Sequence, residues 1–135
     1  MNIKELGAEW CLLQNQFDSY EKHSLYIKLL SIVVLLITAV AGQINSYIIL
    51  ILSVLWLQDG IWKTFQSRIE IRLLQIEKYI AAEDEQAAFQ FNSEYNKTRL
   101  SGLSLVLEYA CQSIRPTVAF PHVALIFISL IQRVL

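Results

Sequence analysis

Leu29–Trp62 reads LLSIVVLLITAVAGQINSYIILILSVLWLQDGIW. Leu29 to Ala41 carries no charge, Gly42-Gln-Ile-Asn-Ser46 is the one break, and Tyr47 to Leu57 is apolar again. Two long apolar runs joined by a short polar break predict a helical hairpin that crosses a bilayer twice. The first run, Leu29–Ile44, would be ~24 Å long as a helix, against a hydrocarbon core of ~30 Å. A soluble bundle with a buried hairpin is the competing reading. Tyr26, Tyr47, Trp56 and Trp62 bracket the runs as interfacial aromatics do. Snorkelling Lys28 and Lys63 would extend their reach, so the membrane reading is preferred.

Composition agrees. Of 135 residues, 55% are hydrophobic and 17% charged, where soluble chains carry about 25% charged residues. A net charge of −1 gives no reason to expect nucleic acid. Cys11 and Cys111 form no metal or redox motif and are expected as free thiols. Thr38-Ala-Val-Ala41-Gly42 resembles a signal-peptidase site. The four acids before it do not fit a basic leader, so it is read as an uncleaved anchor.

Upstream, Ile3, Leu6, Trp10, Leu13, Phe17 and Tyr20 recur every three or four residues, with Lys4, Glu5, Glu9 and Asp18 assigned to the rest of the helix. Downstream, Ile61, Phe65, Ile69, Leu73, Ile76 and Ile80 continue the second apolar helix as a stalk, with Glu70, Arg72, Glu77 and Lys78 facing water. The two stripes are natural partners for one another, and the same residues are the surface for an oligomer or a protein partner. Glu83-Asp84-Glu85 marks a break. A third helix is expected over Ala87–Leu100, then an interfacial or buried helix over Leu100–Ile114. After the Arg115-Pro116 boundary, an apolar helix over Val118–Ile131 is expected to start at Pro121.

The fold expected is thus an all-α membrane protein in a single domain. Residues 1–24 form an amphipathic helix, 25–62 the transmembrane hairpin, 63–115 a helical stalk and cap, and 116–135 a membrane-inserted helix. Lys and Arg number three in residues 1–28, none in 42–46, seven in 58–115 and one at the end. The positive-inside rule then predicts the N-terminus and residues 58–115 in the cytoplasm and the 42–46 tip outside.

Polar residues inside the apolar helices are the informative ones. Ser31, Thr38 and Asn45 recur every seven positions, with Gly42 one turn from Thr38; Ser46, Ser53 and Gly60 do the same on the second helix. Small polar faces let membrane helices approach closely, and in an oligomer they would line a pore. Asp59 ends the second run, with Lys63 placed to pair with it at i+4. Asp59, Lys63, Glu108 and His122 are the candidate gating or interfacial groups, ionisable residues near a membrane being costly. The run Lys63, Arg68, Arg72, Lys78, interleaved with Glu70 and Glu77, is read as a solvated, salt-paired face. His23 and His122 are the only histidines, and no glycine-rich loop or nucleophile motif is present. Neither catalysis, a metal nor a cofactor is expected.

Trp56-Leu-Gln-Asp59-Gly60, then Lys63-Thr-Phe65-Gln66, Arg68, Arg72, Ile76-Glu77 and the late Phe120-Pro121-His122, form a pattern. It resembles small bacterial membrane proteins that serve as effectors of antiphage systems, with a two-helix hairpin and cytoplasmic helices. The resemblance implies an oligomeric, membrane-perturbing effector of the bacterial inner membrane, whose partners are the bilayer and copies of itself. The alternative is a non-conducting scaffold that recruits a cytoplasmic protein.

Overall fold

The computed structural model describes residues 2–43, 45–84 and 86–135. Met1, Ile44 (in the hairpin break) and Glu85 (in the acidic break) lie outside the described residues. The chain is all-helical: α1 (Asn2–Val40), α2 (Ser46–Ala81), α3 (Phe91–Thr98), α4 (Leu103–Ile114) and α5 (Pro116–Val134). α1, α2 and α5 are long and apolar enough to cross a membrane.

α1 and α2 pair antiparallel along their whole length, ~54 Å for the 36 residues of α2. α1 passes residue 24 and α2 passes residue 62 without interruption, so stalk and membrane segment are one helix in each case. The helix ends explain where each stops. Gly42 takes φ +65°, Gln43 N–H bonds the Thr38 carbonyl and Gly42 N–H bonds Ala39, the Schellman pattern that closes a helix. α2 then starts from Asn45, whose side chain accepts from Tyr47 N–H at 3.0 Å. Asn45→Ala is expected to lower stability by about 1 kcal/mol; a denaturation midpoint in mild detergent unchanged from wild type would refute it. α2 ends in the same way, with Asp84 N–H on Tyr79 and Glu83 at φ 51°.

Beyond the membrane half, the two apolar stripes close on each other. Leu6 and Leu13 pack with Ile69, Leu73 and Ile76, and Trp10, Phe17, Tyr20 and Phe91 lie against them. Leu6, Leu13, Ile69, Leu73 and Ile76 therefore serve this chain's own core, while Trp10, Phe17 and Tyr20 are half-buried and Ile3 is exposed.

Three boundaries differ from the sequence reading. α3 begins at Phe91 instead of Ala87, because Phe89 adopts φ 57° and gives its N–H to the Glu9 carboxylate at 2.6 Å. α4 begins after Gly102, at φ 58°. α5 starts at Pro116, with Arg115 held extended before it, and Pro121 sits inside the helix. Pro116 takes the first helical position, where a missing N–H costs nothing.

In the apolar half the outer surface is hydrocarbon. Val33, Leu36 and Ile37 on α1, Leu50, Val54 and Leu57 on α2, and Phe120 and Phe127 on α5 are all exposed. Such a continuous apolar belt on three long helices is the surface a bilayer covers.

Candidate functional site

Polar side chains in this half point inward instead. Ser24 and Ser31 on α1, Asp59 on α2, and His122 and Ser129 on α5 are buried at 0–1% exposure. On α1 and α5 they recur at seven-residue intervals, Ser24/Ser31 and His122/Ser129. Two turns of helix return a side chain to nearly the same face.

Asp59 joins three helices. One carboxylate oxygen accepts a short hydrogen bond from Ser24 Oγ; the other lies 2.9 Å from His122 Nε2 and 3.6 Å from Lys28 Nζ. Lys28 also donates to Ser24 Oγ at 3.2 Å. With Asp59 ionised, His122 Nε2 is the donor of this bond. His122 Nδ1 is buried without a partner. The Trp56 ring stacks on His122 with centroids 6.4 Å apart, and its Nε1–H donates to the Ser113 carbonyl at 2.9 Å. Next to Asp59, Gly60 lets α4 come in close: a Cβ there would collide with Ser113 Oγ. α1, α2, α4 and α5 thus meet at one level of the bundle.

The anticipated Asp59–Lys63 pair does not form. Asp59 faces inward and both its oxygens are taken, while Lys63 reaches across to Glu21 Oε2 at 2.7 Å and to Gln66 Oε1 at 2.9 Å. Gln66 Nε2 bonds the same Glu21 oxygen at 2.6 Å and also reaches the Phe17 carbonyl at 3.3 Å. These bonds to Lys63 and Gln66 hold the Glu21 carboxyl below its ordinary value, against the opposite pull of desolvation. Its folded value being the lower one, this stabilisation is present above the unfolded carboxylate range and fades as pH falls through the folded one.

Other anticipated residues are dispersed. Ser31 Oγ bonds the Ile27 carbonyl, Thr38 those of Val34 and Leu35, and Ser53 that of Ile49, each within its own helix. Ser31 is buried between helices, Thr38 and Ser53 are half-buried, and Gly42, Asn45 and Ser46 are exposed at the hairpin tip. Glu108 lies in the cap, 3.2 Å from Arg68.

No protein-family model, curated protein or solved structure matches the chain. Its geometry has to speak for it.

The cap holds a second buried ionic group, in which Arg72 was expected to face water and Glu9 to lie off the apolar stripe. Glu9 and Arg72 are 2% and 4% exposed, joined by bonds of 2.8 and 3.1 Å, and Arg72 also reaches the Ala87 carbonyl at 3.3 Å. Glu9 lies three residues after Leu6 and four before Leu13, so it shares their inward face. Ser24 and Lys28 were also missed as site residues. The available signal was the seven-residue series Ser31–Thr38–Asn45, which extends back by one step to Ser24.

Proposed function

We propose that the protein is a membrane effector whose closed bundle perturbs the bilayer once α5 leaves the hairpin. The observation that carries this reading is the Asp59 cluster. An ionisable group buried beside an apolar belt is expensive to hold and marks function by default. Here its three partners come from two other helices, one of them the last. With α5 displaced, Asp59, Ser24 and Ser31 would face lipid, and association of copies through these faces would cover them again and give a polar path. The Lys/Arg distribution supports a cytoplasmic cap and N-terminus under the positive-inside rule. The resemblance noted above suggests defence against phage as the setting.

The test is to induce the chain in bacteria and follow membrane potential and small-dye entry. Wild type is expected to leave the membrane sealed. His122→Leu, which removes the α5 anchor, is expected to depolarise cells within minutes, and adding Ser31→Leu is expected to suppress that effect. Equal membrane abundance of His122→Leu with an unchanged potential and no dye entry would sink the proposal.

One observation favours the scaffold reading. Leu74, 59% exposed, lies on α2 beyond the apolar belt, where a protein partner would find an apolar foothold. Under that reading Leu74→Asp abolishes function in cells while His122→Leu is silent.

A further inference from the structure

Between α2, α3 and α4 lies a cavity of about 380 Å³, whose walls include Arg68, Ile71, Phe91, Tyr95, Leu100 and Glu108. We propose that it is a binding site for a small monoanion with a flat apolar body, its oxyanion held by Arg68. The size falls within the range of small-molecule sites, about 300–1,000 Å³, and the mix of apolar walls with a few polar groups is theirs too.

Arg68 is the reason for the charge. A guanidinium has five N–H donors. Here the terminal nitrogen Nη2 bonds Glu108 at 3.2 Å and Nε is buried with no partner, which leaves the other terminal nitrogen as the donor a ligand can reach. Its flat face is fixed over the Tyr95 ring at 4.5 Å and the Phe65 ring at 5.4 Å. A fixed, half-satisfied guanidinium is suited to an oxyanion, which it binds edge-on. The other arginine in the wall, Arg72, is already committed to Glu9 and Ala87.

The remaining walls limit the ligand. Ile71, Phe91 and Leu100 offer apolar surface. Glu94 and Glu108 also line the cavity, so a second negative charge would face a carboxylate. That selects a monoanion. α3 has no buried residue of its own, and a ligand seated against Phe91 and Tyr95 would fasten it to α2. The site stands whether or not the bundle opens in the membrane.

The test uses the full chain in phosphatidylcholine nanodiscs, titrated calorimetrically with 2-naphthoate and corrected against empty discs. One saturable site per chain is expected. The uncharged 2-naphthamide and the Arg68→Gln variant are each expected to bind about tenfold more weakly, the loss of one charge-assisted hydrogen bond. Thr98→Trp, which fills the cavity from its exposed rim, is expected to abolish binding with helix content unchanged. The proposal is overturned if naphthoate gives no signal above empty discs, or if the amide binds as well as the acid. Full binding by folded Thr98→Trp would also overturn it, and neither of the last two comparisons depends on Arg68→Gln folding.

Discussion

Arg72→Met is expected to lower the stability of the cap by about 3–5 kcal/mol, the usual cost of stranding one member of a buried ion pair. Without the guanidinium, the Glu9 carboxylate keeps the Phe89 N–H but loses both charged bonds at a site 2% exposed. The Ala87 carbonyl loses its partner as well. The double variant Glu9→Met with Arg72→Met is expected to recover most of the loss, because two apolar side chains of similar size replace a buried pair at little or no cost. It should stop about 1 kcal/mol short of wild type, the Phe89 N–H being left without an acceptor. Urea denaturation of the helical signal in mild detergent, with an unchanged slope, measures both. A loss below about 1 kcal/mol in the single variant would mean that water reaches the pair.

This pair does more than join α1 to α2. Ala87 and Phe89 both bond to it, so it sets the path of the chain into α3 and therefore the wall of the Arg68 cavity. Arg72→Met should for that reason weaken naphthoate binding without touching Arg68.

The hairpin was legible because its signals are local. Thirteen uncharged residues, a Gly42 that can take a positive φ and an Asn45 that can cap the next helix lie within one short stretch. The closing of Leu6 and Leu13 on Ile69, Leu73 and Ile76 was legible too, since each stripe shows its period and an antiparallel hairpin brings the two together. What escaped was the identity of polar partners. Glu9 and Arg72 are 63 positions apart, as are Asp59 and His122. Periodicity reports which face a residue occupies, never what stands opposite. Glu9 was placed off the apolar stripe by residue type although its position, between Leu6 and Leu13, is an inward one. Asp59 was given the nearest cation in sequence, Lys63. In the folded bundle its oxygens go to α1 and α5, and Lys63 is drawn one turn outward to Glu21. The N-terminus of α5 was misplaced because two prolines compete for it, and Pro116, following the extended Arg115, reaches the first helical position first.

Gly60→Leu should separate α4 from the bundle, and Gly60→Ala should fail to give the gain that alanine ordinarily brings. In a helix interior Gly→Ala is worth about 1 kcal/mol by propensity alone. At Gly7 a Cβ meets nothing within 4 Å, so Gly7→Ala is expected to raise stability by about 0.5–1 kcal/mol. At Gly60 the same carbon would overlap Ser113 Oγ and stand 3.0 Å from Ser113 Cβ and 3.2 Å from its backbone Cα. The hydroxyl can rotate away, but the Cα moves only with α4. Overpacking of this kind costs about 1–3 kcal/mol, which cancels or exceeds the propensity gain for alanine. For leucine the larger side chain must also displace the Trp56 bond to the Ser113 carbonyl. Since α4 runs directly into α5, the shift is carried to His122 and its contact with Asp59. Gly60→Leu should therefore reproduce the depolarisation expected of His122→Leu without removing any polar side chain. Depolarisation by both variants would tie membrane damage to the packing of α4 and α5 on the hairpin. If Gly60→Leu is as stable as Gly7→Ala, α4 is not seated against Gly60, and the path from the cap to Asp59 is lost.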